Sequence, residues 1–140
     1  MLGVPDSILV KPGPLDDAEW DVVRDHPQNG FELVVDAVHV EVAEAVLCHH
    51  ERMDGAGYPR GLAGGEVPLL ARILLVADAF DAMTMPRSYQ RSLTRTDALA
   101  ELRRNVGSQF DQEVVEVLAA YLDTGGASNV FEFPRRDFAG

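Results

Sequence analysis

Val40-Glu41-Val42-Ala43-Glu44-Ala45-Val46-Leu47-Cys48-His49-His50-Glu51 reads as a helix, and Arg52-Met53-Asp54-Gly55-Ala56-Gly57-Tyr58-Pro59, which follows directly, reads as its end. Glu41, Glu44, Cys48 and Glu51 recur at i, i+3, i+7 and i+10 and form one polar edge, with Cys48 as a small boundary residue. His50 shares a face with Ala43, Val46 and Leu47, and His49 follows Val42, Ala45 and Val46, so both imidazoles lean toward the apolar side. The helix is expected over roughly 40–51. Beyond it, Gly55, Gly57, Gly61, Gly64 and Gly65 offer repeated freedom at positive φ and make the stretch to 65 a loop.

Toward the N-terminus, His26-Pro27 divides two shorter helices, because proline disfavours helical geometry before it yet suits the first turn of a new helix. The first starts after Asp16, with Glu19 placed for a capping box, and the second carries Phe31, Val34 and Val35. Pro5, Pro12, Gly13 and Pro14 make residues 1–15 an extended leading segment. Toward the C-terminus, Pro68 opens a helix to about Thr84 that is apolar nearly all round and is expected at the centre of the domain. Two more follow Thr94 and Asp111, carrying Leu99, Leu102 and Val106, then Val114, Val115, Leu118 and Leu122. No strand pattern appears, and the expected fold is all-α: one domain over 1–123, then a loose tail over 124–140.

The 140 residues are 46% hydrophobic, enough for one core. A net charge of −11 argues against sequence-independent binding to a long nucleic acid, which requires a basic surface to displace counterions. A small anionic ligand stays possible, since bound divalent ions reverse the local field. The lone Cys48 cannot form an internal disulfide, and no run approaches the roughly 18 apolar residues of a membrane span. The first residues lack a secretion signal, so the expected location is cytoplasmic.

Several features invite chemistry. Asp78 has Ala71, Leu74 and Leu75 at i−7, i−4 and i−3, so it is expected to be buried. A buried carboxylate requires a metal or a base, and either a metal or a neighbour such as Arg72 fits. The adjacent His49 and His50 are good ligands for Fe, Mn or Zn. Helical neighbours point about 100° apart, so the pair suits two ions better than one. His26 is a candidate of lesser weight, and His39 reads as structural or exposed. The loop bearing Tyr58 reads either as a tight connection or as a cover over a site. Arg87 and Tyr89 read either as phosphate and base contacts or as solvated residues.

The stretch from His49 to Pro59 resembles the HHExxDGxGYP signature of the HD-GYP family. Gly3-Val4-Pro5-Asp6-Ser7-Ile8-Leu9 with Lys11-Pro12-Gly13 resembles the family's stretch after its HD motif, His26-Pro27-Gln28-Asn29-Gly30 its HPxxG, and Val76 to Thr84 its VADxFDAMT. The resemblance runs from about Gly3 to Leu122 and implies an HD-domain-like helical bundle around two or three iron or manganese ions, hydrolysing cyclic di-GMP in bacterial signalling. By position it makes His26, His49, His50 and Asp78 metal ligands. Arg87, Tyr58 and Tyr89 become ligand contacts, and GGDEF-type diguanylate cyclase domains become partners of the Tyr58 loop.

The family's HDxGK motif would precede Met1, and Gln90 stands where a basic residue is common. The resemblance therefore implies the C-terminal part of the domain, N-terminally truncated, whose catalytic residues are unknown once the HD dyad and its lysine are missing. Such a chain is expected to hold one weakly bound ion, to turn over little substrate alone, and to expose apolar parts of its third and fourth helices. A non-catalytic module that binds a partner, or cyclic di-GMP without hydrolysis, is the alternative. The Tyr58 loop speaks against a related HD phosphohydrolase acting on another nucleotide.

Overall fold

A computed structural model describes residues 3–85 and 92–125, whose regular elements are helices, with two isolated bridges and no strand among the described residues. The elements are α1 (Asp6–Leu9), α2 (Asp17–Arg24), α3 (His26–Val34), α4 (Val40–Cys48), α5 (Leu69–Thr84), α6 (Arg95–Arg104) and α7 (Gln112–Asp123). The expected start signals hold. Asp16 and Glu19 form a reciprocal capping box on α2, Pro27 occupies the first turn of α3, and Thr94 and Asp111 cap α6 and α7. The leading segment includes the single turn α1, and the expected tail lies, from residue 126, outside the described residues.

Successive helices pack on one another from α2 to α7, and α5 also meets α7. Gly30 lets α3 and α4 approach closely, since a Cβ there would stand 3.1 Å from Val46 Cγ1. The short connection between these helices makes them an antiparallel pair. The start of α3 therefore lies beside the end of α4, and His26 meets His49 across 23 residues of sequence.

Two small cores result. Leu47, Cys48, Val67 and Ala71 form one, with Phe31 and Leu62 against it; Val76, Leu102, Phe110 and Val115 form the other. α5 links both, but it is not the enclosed central helix that its composition suggests. Only Ala71 and Val76 are buried on it, and Leu69, Leu70, Ile73 and Leu74 are exposed. Val40 and Val42 on α4 are exposed too, so the apolar exposure expected on the helices at 40–51 and 68–84 is found on α4 and α5. Cys48 and Glu51 depart from the expected polar edge, since both are buried in the turn where α4 ends.

Arg72 donates to Asp111 at 2.7 Å, tying α5 to the N-terminus of α7, where Asp111 also accepts from Glu113 N and Val114 N. Asp111→Ala is expected to cost about 2–4 kcal/mol, because it removes a cap and strands a partly buried guanidinium. Asp111→Asn, which still caps, should lose less; urea unfolding of both variants checks this. Arg72 in first place holds the Asp111 carboxyl below its usual range, although burial opposes it. The unfolded chain thus protonates first, and this stabilisation is complete above about pH 4 and lost as pH falls through the folded value.

Candidate metal centre

α4 stops at Cys48, and His49 takes the C-cap position, three residues sooner than expected. The His49 ring turns back so that Nδ1 lies 2.6 Å from Val46 O, and Glu51 N donates to Cys48 O at 2.9 Å. His49 and His50 therefore sit in a turn, where the 100° rule for helical neighbours does not apply. Their rings converge instead of diverging, and one ion suits them better than two.

His26 is buried at the start of α3, with Nδ1 2.6 Å from Val23 O. A carbonyl only accepts, so His26 and His49 both carry their proton on Nδ1 and present a bare Nε2 lone pair, an assignment that follows from these two contacts. Those Nε2 atoms lie 3.3 Å apart, and His50 Nε2 lies 3.2 Å from that of His26. Two nitrogens bonded at roughly 2.1 Å to one ion, at angles of about 90–110°, stand about 3.0–3.4 Å apart. The spacing fits a shared cation, and without one the two bare lone pairs repel.

The electrostatics agree. Burial in first place, then His49 and His26, pushes the His50 pKa down to about 4. Burial likewise lowers that of His26, although the Val23 carbonyl opposes it. The His26 and His50 rings are thus neutral near pH 7, the form that binds metal. Three nitrogen donors leave further coordination positions for water or a phosphate oxygen.

His26, His49 and His50 are the set brought together among the described residues; Asp78 is not with them. Its expected burial is wrong. It is exposed on the same uncovered face of α5 as Leu70, Ile73 and Leu74, and Arg72 is engaged with Asp111. The sequence pattern marked an apolar face correctly, but among the described residues nothing covers that face. His39 is exposed at the start of α4. Arg87 and Tyr89 lie outside the described residues.

Tyr58 does lean over the site. Its ring stacks on His50 with centroids 4.9 Å apart and planes 28° apart. Glu51, which periodicity places on a polar edge, and Gly57, expected for its φ, build the loop behind it. Glu51, only 1% exposed, accepts from Arg60 N at 2.6 Å and Leu62 N at 3.0 Å. Gly57 is required by space rather than by φ, since a Cβ would lie 2.5 Å from Arg52 N and from His50 O. Gly55, Gly61 and Gly64 do have the expected positive φ, whereas Gly57 and Gly65 do not. Asp54 N donates to Ser108 O at 2.8 Å, which anchors the loop to the α6–α7 connection. An acid directly before a loop full of backbone donors was the available signal for Glu51.

The family model described as "HD domain" matches residues 1–114. The cyclic di-GMP phosphodiesterase response regulator RpfG of Xanthomonas campestris is 43% identical over 120 residues, covering 84% of this chain and 32% of that protein. A cyclic di-GMP phosphodiesterase of Pseudomonas aeruginosa is 44% identical over 115 residues (81% and 28%), and the 3'3'-cGAMP-specific phosphodiesterase 2 of Vibrio cholerae 38% over 125 (87% and 24%). The chain thus spans about a quarter to a third of these relatives. The crystal structure of a cyclic GMP-AMP-specific phosphodiesterase of Vibrio cholerae superposes with a TM-score of 0.62 at 21% identity, over 84% of this chain and 31% of that one, and shows the same fold. The chain belongs to the HD-domain family, and its motifs are those of the HD-GYP branch that it resembles.

Proposed function

We propose that the chain is the three-histidine part of a metal-dependent phosphodiesterase domain that hydrolyses cyclic di-GMP. The convergence of His49 Nε2 and His50 Nε2 on His26 Nε2, at 3.3 and 3.2 Å, carries this reading. The names of the relatives supply the substrate class, cyclic dinucleotides. Hydrolysis forms a bond from a water oxygen to phosphorus, breaks the phosphorus–O3′ bond, and delivers a proton to the departing oxygen.

His26, His49 and His50 would hold an iron or manganese ion, which supplies Lewis-acid stabilisation of charge developing on a phosphate oxygen. The Val23 and Val46 carbonyls keep two of these rings aimed, and Tyr58 forms a flat wall beside the third. Asp78 would be a further metal ligand, as the family resemblance with its two or three ions implies. Arg87 and Tyr89 would contact the nucleotide, and the Tyr58 loop would face GGDEF-type partners. No helix of the described residues is long and apolar enough to cross a membrane, and a cytoplasmic setting suits the nucleotide.

The test is chromatography of cyclic di-GMP incubated with Mn(II) or Fe(II) without oxygen, using this chain and a form extended by an HD-bearing helix. The extended form should convert substrate in a metal-dependent way that His50→Ala abolishes. No conversion by the extended form at saturating metal would reject hydrolysis in favour of a binding module.

A further inference from the structure

The three histidines are not held alike. His26 and His49 are each fixed by a backbone carbonyl 2.6 Å from Nδ1, which sets both tautomer and ring direction. Among the described residues no protein atom hydrogen-bonds to His50 Nδ1, and the contact that orients this ring is the stacked face of Tyr58. Tyr58 is itself fixed from both sides. Its N–H donates to His50 O at 3.3 Å, Gly57 before it sits against the backbone of residues 50–52, and the Glu51 carboxylate holds the N–H groups of Arg60 and Leu62 just beyond it.

We infer that Tyr58 is a positioning residue for the metal centre: its ring, clamped by Glu51 and Gly57, orients the His50 imidazole as the Val23 and Val46 carbonyls orient the other two. This rests on the metal reading above and deepens it. The phenol oxygen plays no part in the role, because a stacked contact belongs to the ring face. A flat side chain therefore suffices, and an apolar one without a face does not.

The experiment is titration of metal-free protein with Mn(II), read by the paramagnetic resonance of the free ion, for wild type, Tyr58→Phe and Tyr58→Leu. Tyr58→Phe should bind within about twofold of wild type. Tyr58→Leu, similar in apolar bulk, should bind about tenfold more weakly, at the lower end for loss of an outer-shell partner. A second arm works without metal. The His50 ring protons should be shifted upfield by the stacked ring in wild type and Tyr58→Phe, and should lose that shift in Tyr58→Leu, with the helical circular dichroism unchanged. Wild-type affinity in Tyr58→Leu, or equal weakening in Tyr58→Phe and Tyr58→Leu, would overturn the inference. Failure of wild type to bind Mn(II) would sink the metal reading and the inference with it. The proton shifts would then still report whether Tyr58 orients His50.

Discussion

Glu51→Ala is expected to destabilise the protein by about 3–5 kcal/mol. The carboxylate is 1% exposed and accepts from Arg60 N and Leu62 N at 2.6 and 3.0 Å, so its removal orphans two backbone donors and opens a cavity. An unsatisfied buried donor costs about 1–3 kcal/mol, and both would have to find water or rearrange the loop. Total stabilities are about 5–15 kcal/mol, so this one change removes a large fraction. Urea unfolding should show the loss, and Glu51→Gln, which keeps one acceptor oxygen, should recover part of it. A loss below about 1 kcal/mol for Glu51→Ala would mean that the loop does not depend on this anchor.

Gly57→Ala should be nearly as severe, for a different reason. The added methyl would stand 2.5 Å from Arg52 N and His50 O and 2.6 Å from Glu51 Cα, all backbone atoms that no rotamer change can move. Overpacking of this kind typically costs about 1–3 kcal/mol, occasionally more, and here the upper end is expected. The backbone forced aside carries His50, so metal affinity should fall together with stability. Gly65→Ala, where a Cβ meets nothing within 4 Å and φ is not positive, is the control and should be close to neutral. Calorimetric unfolding and metal titration of the two variants check the contrast.

The elements and their start signals were legible because they are local. Asp16 with Glu19, Thr94 with Asp97, and Asp111 each announce a helix through side-chain oxygens placed for the first-turn N–H groups, and each does so in the structure. The three histidines were legible as residue types. Their joint geometry was not, because it depends on where α4 stops: a helix three residues longer would splay His49 and His50, and the turn makes them converge. Asp78 was misjudged for a related reason. An apolar stripe on α5 identifies a face that seeks cover, but which element covers it is a property of packing and not of the stripe. Helical periodicity carried past the helix end places Glu51 on the polar edge instead. A buried acid satisfied by two loop amides leaves no periodic trace.

The central claim is that His26, His49 and His50 form one metal centre. Its most direct test is calorimetric titration of metal-free protein with Mn(II), for wild type and for His26→Ala, His49→Ala and His50→Ala separately. One ion per wild-type chain is expected through this set, and each variant should lose more affinity than the roughly 10–100-fold typical of an outer-shell partner. Wild type without binding, or the three variants binding as wild type does, would contradict it.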